Sequence, residues 1–584
     1  MTFTRDNVQK IHAIFEQSDC AEMRIESGDL KLDLRRRGDP ANLEPAAARE
    51  KTQDRPASPP GANFAEKKRL APAAAPPPGS RKAAMAVGGL AGGSPMTGTG
   101  ASRTVKFMDT TLRDAHQSLW ATRMTTAMML PIAERLDQAG FDAIDLMGLI
   151  QFDVAVRYLK EDPWERVRLM RRKITRTPMQ ASVRSKSLTG FDVVPDDMLL
   201  LWTDRLIVNG LRRIRAFDAL ADIDNIVPIL RFAKERGAYT VGALVYGHSP
   251  VHTDELYAAK VKELIERTDC DSIMLKDACG LLTPERMRTL VPAMKKVMGK
   301  VPLELHSHCL TGLAPLVYLE GVKLGVEQLH TSIAPLANGP AQPATQTIAR
   351  NLRQMGYTVE LDDRLIDEVS EHFRAVAEQE GKPLGVPMEY DAFHFEHQVP
   401  GGMLTNFEFQ LKQAGLAHRF HDTLLECARI RRELGWPIMV TPFAQLVGTQ
   451  AVLNVVRGER YRVVPDEVKK YVLGYYGKLL APIEPNAFDR IVENGSKQIP
   501  LEPRPLEPGV PELRKKYPNM SDDERLLRYS CAGSQVDEML AAGPMKTEYD
   551  FNQTLLHLLS ELAKRRKYKH VYIEKGPVRL ELNR

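Results

Sequence analysis

Val105-Lys106-Phe107-Met108-Asp109-Thr110-Thr111-Leu112-Arg113-Asp114-Ala115-His116-Gln117-Ser118 reads as a short apolar run that ends in a turn crowded with acidic, basic and amide groups. A loop that follows a strand can aim such groups into a shared mouth while the strand keeps the backbone hydrogen-bonded. The same grammar recurs downstream. Strands are expected at Val105–Met108, Phe141–Met147, Met179–Val183, Arg213–Phe217, Tyr239–Tyr246, Ser272–Leu275, Val301–Leu305 and Val326–Leu329, with helical stretches such as Thr126–Gln138, Asp254–Arg267 and Pro284–Met298 between them. Eight alternations of this kind predict an α/β fold, a (β/α)8 TIM barrel over residues 103–365, with a doubly wound open sheet as the alternative.

Beyond residue 365 the strand signals stop. Ile366–Glu380 and Phe420–Leu434 carry helical spacing, so 366–507 reads as a mostly helical domain, and 508–584 as a proline-rich connector leading into a helix and hairpin. Upstream, residues 38–102 are Ala, Pro and Gly with scattered charges, too poor in apolar area to order themselves, and are expected to form a disordered linker. Residues 1–37 place a helix over 5–17 before a hairpin whose arms, Met23–Glu26 and Leu30–Leu34, alternate across Gly28-Asp29.

The C-terminal segment repeats that pattern. Leu555, Leu558, Leu559 and Leu562 form a helical stripe before a second hairpin, and Ile25–Leu34 lines up with Ile573–Leu582. The likeness is either a weak internal repeat or a chance match of two amphipathic hairpins. A lone two-stranded hairpin is marginal in water, so each copy must pack on something, either the other copy or a partner subunit.

Bulk composition narrows the classes of function. Length alone implies more than one unit. Lys plus Arg is 80 against 75 Asp plus Glu, and a net charge of +5 spread so thinly gives no footprint for nucleic acid. Acidic small molecules stay open as ligands. The six cysteines show no paired spacing, no basic-then-apolar leader is visible and no apolar run is long enough to span a bilayer, so a cytoplasmic protein without membrane contact is expected.

Active sites of such barrels lie at the C-terminal strand ends. The first strand delivers Arg113, Asp114 and Gln117, the fourth Arg215 and Asp218, the sixth Lys276 and Asp277, and the seventh His306 and His308. His306-Ser307-His308 has the period of a strand, so both imidazoles share a face, and with Asp114 they make a two-histidine, one-carboxylate set suited to Zn, Mn or Co. Lys276 is expected either in an ion pair with Asp277 or Asp114, or with an amine that burial makes neutral and open to carboxylation, so that it becomes an anionic ligand. Arg215 and Gln117 can bind a carboxylate and a carbonyl; salt bridging at the barrel mouth is the plainer alternative.

Longer strings carry more information than single residues. Asp109–Ser118, Phe152-Asp153-Val154-Ala155, Glu161-Asp162-Pro163-Trp164-Glu165-Arg166, Lys276–Pro284, His306-Ser307-His308 and Pro400-Gly401-Gly402-Met403-Leu404-Thr405-Asn406 occur in an order that resembles the carboxyltransferase of pyruvate carboxylase, oxaloacetate decarboxylase α and transcarboxylase, over about residues 104–480. The resemblance implies a metal held by Asp114, carboxylated Lys276, His306 and His308. It also implies a 2-oxo acid bound by Gln117 and Arg215, with Arg113 in the same catalytic turn and Asp153 supporting the site near Lys276. Thr405 would move a proton between biotin and substrate, so the helical unit should cap the barrel mouth. Biotin would arrive on a separate carrier, because neither an ATP-grasp nor a biotinyl domain is visible and Met545-Lys546 lacks the Ala-Met-Lys-Met context of a biotin acceptor. The implied partners are a biotin carboxylase subunit and a biotin carboxyl carrier protein, within a homodimer or higher oligomer.

Three departures surround the expected pocket. Met147-Gly148-Leu149-Ile150-Gln151 stands where pyruvate-type relatives carry Trp-Gly-Gly-Ala, Val183-Arg184-Ser185-Lys186-Ser187 replaces a Leu-Arg-Gly pattern, and Gly339-Pro340-Ala341-Gln342-Pro343 replaces Gly-Thr-Ser-Gln-Pro. They leave the acceptor open between pyruvate and a variant substrate. The segment 1–37 resembles the start of some biotin carrier proteins, which implies docking or assembly. The competing readings are a biotin-independent metal-dependent lyase or Claisen-type synthase, which would not need Lys276 or Thr405, and a non-catalytic assembly scaffold.

Overall fold

The computed structural model describes residues 5–18, 20–27, 30–35, 103–551, 553–564, 569–575 and 578–583, so the whole of the expected linker lies outside the described residues. The chain divides into two compact units, Met1–Ala101 with Leu555–Arg584, and Ser102–Thr554.

In the first unit a helix, Arg5–Gln17, precedes β1 (Glu22–Ser27) and β2 (Leu30–Arg35). The second unit holds eight strands, β3 (Lys106–Asp109), β4 (Ala143–Gly148), β5 (Met179–Arg184), β6 (Arg213–Phe217), β7 (Tyr239–Val245), β8 (Ser272–Asp277), β9 (Leu303–Ser307) and β10 (Gln328–Thr331). The chain returns to the first unit with the helix Gln553–Lys564, β11 (His570–Lys575) and β12 (Val578–Asn583).

Strands β3 to β10 pair in parallel, and β10 closes on β3, so the barrel is complete and the open-sheet alternative is excluded. The strands begin and end within two residues of their apolar runs, and most of the shifts run toward the C-terminus. Lys276, Asp277, His306 and Ser307 prolong β8 and β9 beyond the runs that end at Leu275 and Leu305. Apolar character stops where the ladder still continues, because the last strand residues serve the mouth rather than the core. Helices start where capping chemistry allows: Thr253, Thr283 and Asp362 each accept a backbone N–H from the first turn, and Pro284 takes the first position, where no N–H is needed.

The barrel interior below the mouth is charged. Glu304 pairs with Arg213 and, at 2.9 Å, with His330; Arg213 Nε donates to Gln180 Oε1 at 3.0 Å. Burial opposes the charge on Glu304, but Arg213 and His330 outweigh it and hold the carboxyl down to about 2.

The helical region shares one continuous apolar core with the barrel through residues such as Leu424, Phe443 and Val447. Three helices in the stretch expected to hold only a connector and the terminal element, Gly509–Lys516, Asp522–Ser530 and Gly533–Ala541, belong to this second unit. The Asp523 carboxylate accepts from Arg205 at 2.7 Å and Arg168 at 3.2 Å, which anchors them to the helices flanking the barrel. The sheet of the first unit runs β11-β12-β1-β2, so the two hairpins do pack on each other.

Candidate active site at the barrel mouth

The turn after β3 places Arg113, Asp114 and Gln117 on the wall of a cavity of about 360 Å³ that Lys276 and His308 also line. The helical region supplies the roof: Pro400, Gly401, Met403, Met439, Val440 and Gln445 line the same cavity. These residues belong to the start of the helix Gly401–Gln413 and to the segment at the start of Phe443–Arg457.

Asp114, His306 and His308 form the one cluster of potential metal ligands among the described residues. His306 Nε2 lies 3.2 Å from Asp114 Oδ2 and 3.2 Å from His308 Nε2, and the Gln342 amide nitrogen approaches both ring nitrogens, at 3.2 and 3.1 Å. His308 Nδ1 meets the Pro340 carbonyl at 2.6 Å, which places its proton there and leaves Nε2 with a lone pair toward Asp114. Burial holds both imidazoles below their ordinary value and therefore neutral. Asp114 stays ionised: burial would raise its carboxyl, but the Arg113 guanidinium at 2.7 Å drives it well below the usual range. Two converging imidazole lone pairs and a carboxylate oxygen are a donor set that fits a borderline divalent cation.

Lys276, 5% exposed, completes the cluster electrostatically. Its Nζ sits over the Phe217 ring at 5.2 Å from the centroid, and burial brings its ammonium down to about 7, with Asp114 opposing the drop. An amine that is half neutral near neutral pH is the form that can add CO2.

Three expectations need revision or restriction. Arg215 does not reach the cavity: it is fully buried, ion-paired with Asp145 at 3.2 Å and bonded to Ser182 Oγ, beneath the mouth. Asp153 also lies off the cavity wall, where it pairs with Arg157 at 3.0 Å; burial raises its carboxyl. Thr405 belongs to the helix Gly401–Gln413, but its side chain lies outside the described part of the structure.

Two residues were missed. Arg184, the last residue of β5, lines the cavity with its guanidinium bonded to Ser187 Oγ and to the carbonyls of Leu188 and Gly190; among the described residues no carboxylate pairs with it. Burial brings it down to about 10, so it remains a cation in search of an anion. The signal was present, because Arg184 follows an apolar run as Lys276 does. Gln151 donates to Gln117 Oε1 and to the Arg113 carbonyl, both at 3.1 Å. That bond spends the acceptor end of the Gln117 amide, which leaves its NH2 as the group available to a ligand. Gly148 makes the arrangement possible, since a Cβ there would lie 2.9 Å from the Arg113 guanidinium. Leu149, Ile150 and Pro340 also line the cavity, so with Arg184 all three departures from the pyruvate-type pattern contribute to its wall.

A family model described as a conserved carboxylase domain matches residues 395–542, and an HMGL-like model matches 216–372. A pyruvate carboxylase subunit of Methanocaldococcus jannaschii is 41% identical over 450 residues, covering 76% of this chain and 79% of that protein. The chain belongs to the pyruvate carboxylase and transcarboxylase family of carboxyltransferases. The methylmalonyl-CoA carboxyltransferase 5S subunit of Propionibacterium freudenreichii subsp. shermanii is 34% identical over 419 residues, 71% of this chain and 81% of that one. In fold the chain matches the carboxyl transferase domain of Rhizobium etli pyruvate carboxylase with a TM-score of 0.70 at 24% identity, over 82% and 84% of the two chains. This carboxyltransferase is therefore of the biotin-dependent type, served by a divalent metal and by biotin on a carrier, and is part of a multi-subunit enzyme. No helix among its described residues is long and apolar enough to cross a membrane.

Proposed function

We propose that this carboxyltransferase moves CO2 from carboxybiotin, carried on a separate protein, to the carbon beside the carbonyl of a small 2-oxo acid. The observation that carries the reading is the cavity itself: Asp114 and His308, with His306 behind them, on one wall and the unpaired Arg184 on another, with Lys276 and the Gln117 amide between. Arg184 offers its Nη1 donors to the acceptor carboxylate, its Nε and Nη2 being held by Ser187, Leu188 and Gly190, and Gln117 Nε2 donates to its keto oxygen. Asp114, carboxylated Lys276, His306 and His308 would hold the cation, which when bound supplies Lewis acidity toward an enolate oxygen. The N–C bond of carboxybiotin breaks to release CO2, and the acceptor loses a proton from its α-carbon. The resulting enolate carbon forms the new C–C bond. The proton passes to the biotin nitrogen through the Thr405 hydroxyl, which takes one and gives one, so the helix Gly401–Gln413 ends the cycle as it began. A smaller apolar cavity of about 170 Å³ shares Phe191 and Gln445 with the main one and suits the biotin bicycle.

A biotin carboxylase subunit and a biotin carboxyl carrier protein complete the enzyme in this reading, with the carboxyltransferase as a homodimer or higher oligomer. Its six cysteines, all free and buried, support a cytoplasmic site. The HMGL-like match favours a second reading, a biotin-independent lyase or Claisen-type synthase on the same barrel. Transfer of labelled CO2 from a carboxylated carrier to a panel of 2-oxo acids separates the two. The first reading requires a labelled product that disappears in Thr405→Ala while the metal is retained; turnover without any carrier, untouched by that substitution, establishes the second.

A further inference from the structure

The terminal unit contains a repeat arranged head to tail. Ile25 corresponds to Ile573, an offset of 548 residues, so β1 is the counterpart of β11 and β2 of β12. In the sheet order β11-β12-β1-β2 the strands alternate first, second, first, second, and the two copies join by the second strand of one against the first strand of the other. The sheet therefore ends, among the described residues, in one further edge of each kind: a second strand, β2, and a first strand, β11.

Burial separates the joined edges from the free ones. On the joined strands Met23, Ile25, Leu580 and Leu582 are 0–3% exposed. Their counterparts on the free edges, Val571, Ile573, Leu32 and Leu34, face the same core but stay only half-buried. An unpaired edge whose inward residues remain partly wet is a template for one more strand.

We propose that β2 of one copy of this chain pairs with β11 of a second copy, in the antiparallel register that β12 makes with β1. Within the chain Ile25 faces Leu580, Glu26 faces Arg579 and Arg24 faces Glu581. Shifted by the repeat, the same register sets Ile573 of one copy against Leu32 of the other, Glu574 against Lys31 and Tyr572 against Asp33. The apolar pair falls on the core face, and Glu574 with Lys31 preserves the sign of Glu26 with Arg579. Lys31 has a side chain 77% exposed, so it is accessible to such a partner. The occupant is a second copy because one chain carries both halves of the match, which makes the contact heterologous and extendable between identical subunits.

The test mixes two full-length preparations with different tags, Leu32→Cys and Ile573→Cys, under mild oxidation. Within one chain β2 and β11 stand three strand spacings apart, roughly 14 Å, too far for a disulfide whose Cα atoms sit about 5.5 Å apart, so a bond between them reports on two chains. A mixed-tag covalent dimer is expected, absent from either preparation alone. Adding Lys31→Glu to the first chain should lower its yield about fivefold, the upper end for a cross-strand charge pair, and Glu574→Lys on the second should restore it. The internal pair Arg24→Cys with Glu581→Cys checks that the hairpins are folded. No mixed dimer while that internal disulfide forms, or a yield blind to Lys31→Glu, overturns the proposal.

Discussion

Two layers of buried charge lie in the same barrel, and they behave oppositely. In the lower layer Arg213 faces Glu304, Glu304 faces His330 and Arg215 faces Asp145, so each charge has a counter-charge, and none of these residues lines the mouth cavity. One turn of the ladder higher, Arg113, Arg184 and Lys276 share a cavity with the single carboxylate Asp114, and two neutral imidazoles point lone pairs at it. Burial of charge is common to both layers. Imbalance of charge beside open space distinguishes the one that does chemistry.

That contrast can be broken from either side. Arg213→Met should cost about 3–5 kcal/mol of stability, because Glu304 loses its main counter-ion inside the barrel; chemical denaturation measures it, and the bound metal of the folded fraction should be unchanged. Lys276→Met should do the reverse, lowering carboxyl transfer by about 10²–10³-fold, the size expected for a group that stabilises developing charge, with little loss of stability. Steady-state transfer and denaturation of the same variant decide it.

Smaller substitutions sharpen the same line. Arg184→Met removes a charge-assisted hydrogen bond of about 1.5–3 kcal/mol, so the affinity for a carboxylate-bearing acceptor analogue should drop about 10–150-fold by calorimetry. Arg215→Met, below the cavity, should move stability instead. The pH dependence follows from Lys276. Its folded value near 7 lies below the ordinary 10.5, so between those limits the unfolded chain binds more protons and stability rises with pH. Lys276→Met should flatten that rise, read by denaturation at pH 7 and pH 9. The smallest effect is expected of Gln151→Met: with its donor gone, the Gln117 amide is free to flip, and KM for the acceptor should rise about fivefold, a single hydrogen bond's worth, with kcat nearly constant.

Much of this was legible in the chain itself. The eight apolar runs located the eight strands, and the period-two histidines with Asp114 named the cluster that the structure brings together. The arginines were not separable in this way. Arg184 and Arg215 both sit near strand ends with inward parity, but Arg184 is the last residue of β5 while Arg215 lies two residues short of the end of β6, and that depth puts one at the cavity and the other beneath it. Gln151 stood out only as one residue of a departure from the pyruvate-type pattern, because its role depends on Gln117, 34 positions away, being on the neighbouring turn.

By itself, then, the amino-acid sequence determined the local elements and the chemical types offered at the strand ends, since hydrophobic period, caps and strand parity act over a few residues. Barrel closure, the depth of each charge along its strand, the balance of the lower layer against the imbalance of the mouth, and the joining of two hairpins 548 residues apart into one sheet were decided by tertiary structure. Those properties depend on which distant groups share a low-dielectric neighbourhood, and only the folded chain sets those distances.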